Sequence, residues 1–154
     1  MVDLKSLGIA TVLAPLIGAI IAGLFGPLIG KRGAHTVTIL GVGIAFVLSL
    51  IVGKAIFIDQ IAAFNDTIYT WGVSGAFRFE VGFMIDRLSS LLMIVVSFVS
   101  LMVHIYSIGY MHDDPGYQRF FSYMSLFTFF MLMLVIANNF LQLFFGWEGV
   151  GLAS

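Results

Sequence analysis

One carboxylate, Glu148, lies inside the apolar run Phe144-Phe145-Gly146-Trp147-Glu148-Gly149-Val150-Gly151-Leu152. Hydrocarbon cannot solvate its charge, so an acid in such a run is expensive and is a functional candidate on that ground alone. Counted from Asn139, it stands nine residues into a helix. At ~1.5 Å per residue that is about 13.5 Å, close to the middle of a bilayer. Gly146, Gly149 and Gly151 leave room beside it for another helix, a side chain or water. Desolvation favours the neutral acid and a neighbouring lysine favours the charged one. A carboxylate whose charge follows the presence of a cation can serve as a switchable proton site. The competing reading is a hydrogen-bonded structural acid.

A second set of polar residues recurs at steps of three, four or seven: Asp86, Ser90, Ser97, Ser100, His104 and Ser107. That spacing puts them on one face of a helix. In a membrane, such a face turns towards other helices or water. A hydrated half-channel with His104 as proton relay is one reading, because imidazole titrates near neutrality. A structural histidine near the helix's loop end is the other. His112, Asp113 and Asp114 stand beside Pro115-Gly116, where Asp serves turns by bonding nearby backbone; no metal site is expected there. Arg119, at the start of a helix, is expected to reach the interface or to pair with a carboxylate.

The elements that must carry these residues are membrane helices. About 20 apolar residues cross ~30 Å of hydrocarbon. Ile9–Ile29, Thr36–Gly53, Leu88–Ile108 and Phe120–Ala137 meet or approach that length, and a fifth span begins near Asn139. Turns are expected at Gly30-Lys31-Arg32-Gly33, at Asp113-Asp114-Pro115-Gly116 and at Asn138-Asn139. The first run is too long for the core of a cleaved signal and reads as a retained span. Small residues recur at every fourth position, Ala10, Ala14, Gly18, Ala22, Gly26 and Gly30, and again at Gly41, Ala45, Ser49 and Gly53. Such stripes let helix backbones approach closely.

Between the second and third spans, Ile56–Phe64 reads as a short interfacial helix. Phe77, Phe79, Val81 and Phe83 alternate with Arg78, Glu80 and Gly82, the period of a strand. Tyr69-Thr70-Trp71 before Val73-Ser74-Gly75 supplies a facing strand. The expected fold is all-α and polytopic, with four complete transmembrane helices, a truncated fifth, and a small extramembrane β-hairpin between helices 2 and 3, the interfacial segment and hairpin together spanning about 56–83. Its two parts are residues 1–119 and the start of a repeat at 120–154. The hairpin is expected to touch a neighbouring subunit or its own bundle. Lys31, Arg32 and Arg119 would lie on one side of the membrane and Lys5, Lys54, Arg78 and Arg87 on the other, so charge does not set orientation. The compact Lys31-Arg32 pair leans towards the inside.

Composition agrees with a membrane protein. Of 154 residues, 60% are hydrophobic and only 10% charged, against roughly 25% charged in soluble domains. A net charge of −1 gives no case for nucleic acid. Without cysteine there are no disulfides, thiolate metal sites or thiol nucleophiles.

Four stretches carry a family resemblance: Asp86-Arg87-Leu88-Ser89; His104-Ile105-Tyr106-Ser107 with Tyr110-Met111; Arg119-Phe120-Phe121-Ser122-Tyr123; and Asn139-Phe140-Leu141 followed by Gly146-Trp147-Glu148-Gly149-Val150-Gly151-Leu152. Together they resemble the N-terminal part of the large antiporter-like subunit of respiratory complex I, called subunit L in bacteria and subunit 5 in mitochondria. The resemblance implies a bundle of some fourteen or more helices with two inverted five-helix repeats, an N-terminus facing the periplasm, and Glu148 paired with a lysine two helices later. It implies that quinone reduction elsewhere drives proton transfer through such Glu/Lys pairs. Flavin, iron–sulfur clusters and quinone would then be bound by other subunits, and no catalytic, cofactor or metal residue is expected in this chain. Its partners would be other membrane subunits of the complex, lipid, and the remainder of its own subunit. Its location would be the bacterial inner membrane rather than the mitochondrial one. A multi-subunit cation/proton antiporter or membrane-bound hydrogenase shares the Gly-Trp-Glu context. A small membrane interaction or assembly protein is the reading from a different class.

Overall fold

The computed structural model describes residues 4–58, 64–74, 77–113, 115–137 and 140–153. Five helices and one hairpin follow in the order α1 (Leu4–Leu24), α2 (Gly26–Phe57), β1 (Phe64–Ser74), β2 (Phe77–Ile85), α3 (Arg87–Tyr110), α4 (Tyr117–Val135) and α5 (Phe140–Ala153). The first four helices are long and apolar enough to cross a membrane. Large apolar side chains such as Leu28, Leu40, Leu88 and Phe98 face outwards, as expected of helices solvated by lipid.

The first turn differs from the sequence expectation. The chain leaves α1 at Leu24, and α2 starts at Gly26 with Pro27 in its first turn, where a missing N–H costs nothing. After Ile29 the helix breaks at Gly30, with φ 71° and ψ −175°, a conformation that glycine adopts without the Cβ clash other residues meet. Lys31 and Arg32 therefore begin the long part of α2 and are not in a turn. The interfacial helix expected at Ile56–Phe64 is replaced at both ends: Ile56 and Phe57 complete α2, and Phe64 opens β1. Residues 59–63 between them lie outside the described residues, as do Asn138 and Asn139 of the tight break before α5.

β1 and β2 pair antiparallel from Phe64↔Ile85 to Ser74↔Phe77, with irregularities between Thr67 and Tyr69 and between Thr70 and Gly72. The facing strand is longer than Tyr69–Trp71, because the ladder continues back to Phe64. The hairpin is tied to its own bundle. Met84 N–H donates to the Ile136 carbonyl at 2.8 Å, and Ile85 is fully buried beside Val52, Ile56, Met93 and Ile136.

The small-residue stripes meet in part. A Cβ on Gly41 would stand 2.6 Å from the Ala14 carbonyl oxygen, and one on Gly18 would stand 3.3 Å from Thr38 Cα. Backbone therefore lies against backbone where α1 crosses α2, and Ala45 and Ser49 continue the buried face. Ala10 is exposed, so the stripe on α1 narrows to Ala14, Gly18 and Ala22. Two hydroxyls lock α4 onto α1: Ser122 donates to the Ala19 carbonyl at 2.7 Å and Ser125 to the Pro15 carbonyl at 2.5 Å. Because the neighbour of Gly41 is rigid backbone, Gly41→Ala is expected to cost about 1–3 kcal/mol despite alanine's helix propensity. Thermal unfolding in detergent measures it; an unchanged midpoint would refute the close α1–α2 approach.

Candidate functional site

α5 has two unlike faces. Gly146 and Gly149 are buried. A Cβ on Gly146 would meet the Leu134 backbone at 3.0 Å, and one on Gly149 would overlap the Phe130 ring. These two glycines seat α5 against α4. Glu148 points elsewhere and is exposed, as are Phe144, Phe145, Gly151 and Leu152. Those residues are its neighbours at i−4, i−3, i+3 and i+4, so they form one continuous face. Nothing stands within 4 Å of a Cβ on Gly151. Among the described residues Glu148 makes no hydrogen bond or ion pair. The room that glycine provides is thus divided, filled by α4 at Gly146 and Gly149 and open at Gly151.

The polar face of α3 is buried, and its members behave differently. Asp86 is the N-cap of the helix and accepts the Ser89 N–H at 2.8 Å, satisfying one of the free donors of a helix start. Ser97 and Ser107 donate back to the carbonyls of Met93 and Val103 at 2.6 and 2.7 Å. Ser90 and His104 are both fully buried. His104 is packed under α4, with its ring 5.9 Å from that of Phe121.

Proton positions around His104 follow from what each atom can do. Nδ1 lies 2.7 Å from the Ser100 carbonyl, which only accepts, so Nδ1 carries the hydrogen. Ser100 Oγ, 3.3 Å from the same nitrogen, then accepts a second branch of that bond. Thr128 donates to the Met124 carbonyl at 2.9 Å, so Ser100 donates to Thr128 across 2.5 Å. The bonds run one way, from imidazole to Ser100 to Thr128 to Met124. With Nδ1 protonated, the neutral ring leaves Nε2 as a bare acceptor. It is buried and, among the described residues, meets no hydrogen-bond partner. Ser100 and Thr128 also line a cavity of about 640 Å³ between α3 and α4, walled by Val99, Val103, Tyr123 and Phe127.

Comparison with known proteins addresses the whole stretch. Residues 71–121 match the family model of NADH-Ubiquinone oxidoreductase (complex I), chain 5 N-terminus. Over 143 residues, 92% of its length, the chain is 59% identical to NADH-quinone oxidoreductase subunit L of Neisseria meningitidis serogroup B, of which it covers 21%. It is 48% identical over 143 residues to NADH-ubiquinone oxidoreductase chain 5 of Marchantia polymorpha, covering 93% of this chain and 21% of the relative. Across the matched residues, the chain is similar to the subunit L and chain 5 family. It spans about a fifth of the length of the curated relatives it matches. With four helices fit to cross a bilayer, it is a multi-pass membrane protein.

Within this family stretch, Arg119 is exposed at the start of α4 and forms no ion pair among the described residues. His112 and Asp113 are exposed in the turn after α3, Asp114 lies outside the described residues, and no group of three metal-ligating side chains occurs among the described residues. Sequence reasoning missed His35, Tyr117, Phe121 and Thr128, which pack around or near His104. The signal was present on α4, where Tyr117, Phe121, Ser125 and Thr128 follow at steps of four, four and three. The two-faced seating of α5 is directly testable. Gly149→Val should cost about 1–3 kcal/mol through overlap with Phe130, while Gly151→Ala should stay within about 0.5 kcal/mol. Thermal unfolding of both variants reads this, and equal effects would contradict the orientation that turns Glu148 outwards.

Proposed function

We propose that this chain is part of a proton-translocating membrane subunit of NADH:quinone oxidoreductase, with Glu148 as one half of an intramembrane proton site. The observation that carries the reading is the open face of α5. Glu148 lies eight residues from the start of the helix, about 12 Å along its axis, with the opposite side held by α4 and its own side free. A charged or charge-switching acid at such depth is stable only with a partner or a wet path. A lysine from another helix of the full subunit would meet it there, alternately holding the carboxylate charged and releasing it to take a proton. The relatives' names, subunits of NADH-quinone and NADH-ubiquinone oxidoreductases, support coupling to quinone reduction. In this reading residues 120–154 open the antiporter-like repeat, other subunits hold the flavin, iron–sulfur clusters and quinone, and the location is a bacterial inner membrane. His104, Ser100 and Ser97 belong to its proton path, Asp86 holds the start of their helix, and Arg119 stays at the interface.

Glu148→Gln in the full-length subunit, assembled in its complex, is expected to lower both proton pumping and coupled quinone reductase turnover. Glu148→Asp should be milder, since it keeps an ionisable group. Proton uptake by reconstituted vesicles, measured per electron, is the assay. Wild-type pumping and turnover in Glu148→Gln would sink the assignment.

A further inference from the structure

Among the described residues, His104 Nε2 is a base without a donor in a fully buried position, and the residues between it and this end of the bundle are ordered in layers. Outermost, Lys31 Nζ donates to the His112 carbonyl at 3.0 Å and stands 5.7 Å from the centre of the Tyr117 ring. One layer in, His35 Nδ1 and Tyr117 Oη are hydrogen-bonded at 2.8 Å. His35 is half-buried. Deeper still is the Phe121 ring, fully buried, with its centre 6.2 Å from that of His35 and 5.9 Å from that of His104. Below it, the Ser100 carbonyl and hydroxyl hold the other side of the imidazole.

We propose that this end of the bundle is a proton inlet, in which the His35–Tyr117 pair receives protons from water, Phe121 acts as a hydrophobic plug, and His104 Nε2 is the inner acceptor. It rests on the proton-translocating reading and adds an inlet distinct from Glu148. A proton from a surface hydronium binds the bare Nε2 lone pair. The product is an imidazolium whose second N–H, on Nδ1, remains bonded to Ser100, and no other bond breaks. A charged ring is expensive away from water unless acceptors hold it, and the Ser100 carbonyl and hydroxyl are such acceptors. The titratable and charged groups around this end are Lys31, Arg32 and His35 on α2, Tyr117 and Arg119 on α4, and His112 and Asp113 after α3. No carboxylate on these helices faces the imidazole among the described residues, so a bound proton is held by dipoles alone and can leave again. The plug keeps the path dry between transfers. Movement of one phenylalanine ring past its neighbours is a side-chain event far faster than turnover.

Diethyl pyrocarbonate, which acylates unprotonated imidazole nitrogens, tests the inlet in the full-length subunit within its complex, read by mass spectrometry. In the wild type, exposed His112 should react promptly and His104 should be protected. Phe121→Ala should raise acylation of His104 about tenfold, because access no longer awaits local opening. Phe98→Ala, a ring on the far side of α3 against Phe46, should leave it unchanged. Adding His35→Trp to Phe121→Ala should restore protection. An unchanged His104 rate in Phe121→Ala, an equal rise in Phe98→Ala, or continued labelling behind His35→Trp would overturn the inlet. Nitrogen-15 NMR of histidine-labelled wild type, assigned by the signal lost in His104→Gln, should show a neutral ring protonated on Nδ1; protonation on Nε2 would remove the acceptor and the proposal with it. Both measurements are made without turnover, so their outcome is separate from the pumping result for Glu148→Gln.

Discussion

A hydroxyl in hydrocarbon gains from an acceptor, and, Ser90 apart, the arrangement of this bundle depends on where the buried hydroxyls find theirs. Water is not available to take an unmet bond, so the choice is between the helix's own carbonyls and a neighbour's. Thr11, Thr38, Ser49, Ser97 and Ser107 bond back to the carbonyl four residues earlier. They need nothing from outside and carry little information about which helix lies next to which. Ser122 and Ser125 instead bond across to α1, and Ser100 bonds across to Thr128. Those few crossing bonds set the place of α4 between α1 and α3. Interhelical bonds of this kind are each worth only about 0.6 kcal/mol, so they select an arrangement that close backbone packing at Gly18 and Gly41 then stabilises.

The same constraint explains what was legible in the sequence. The number and order of helices follow from hydropathy, because length and apolarity are what a bilayer demands. The hairpin follows from the alternation at Phe77–Phe83. Helix ends were less legible. Pro27 and Gly30 sit only three residues apart, and the run of apolar residues across them reads as continuous, yet one starts a helix and the other breaks it. The position of His104 was missed for a related reason: periodicity names a face but not its cover. Only the packing of α4 reveals that the Phe121 ring lies against the imidazole.

Glu148 and His104 illustrate opposite solutions to the cost of an ionisable group in lipid. His104 remains neutral and buried by handing its one hydrogen to Ser100, so its local bonds are complete on one side and its lone pair is left facing the other. Glu148 has no such internal acceptor or donor and is placed on the outside of the fold. A carboxylate on an otherwise apolar helix face makes physical sense only if that face is an interface. The glycines are what make the distinction sharp. Gly146 and Gly149 bring α5 so close to α4 that no side chain can turn into the contact, and the helix's only acid is thereby directed away from its own bundle. Moved one position later, the acid would take the place of Gly149, which α4 already fills, and its side chain would run into Phe130. The spacing Gly-Trp-Glu-Gly therefore does more than leave room. It aims the carboxylate away from α4.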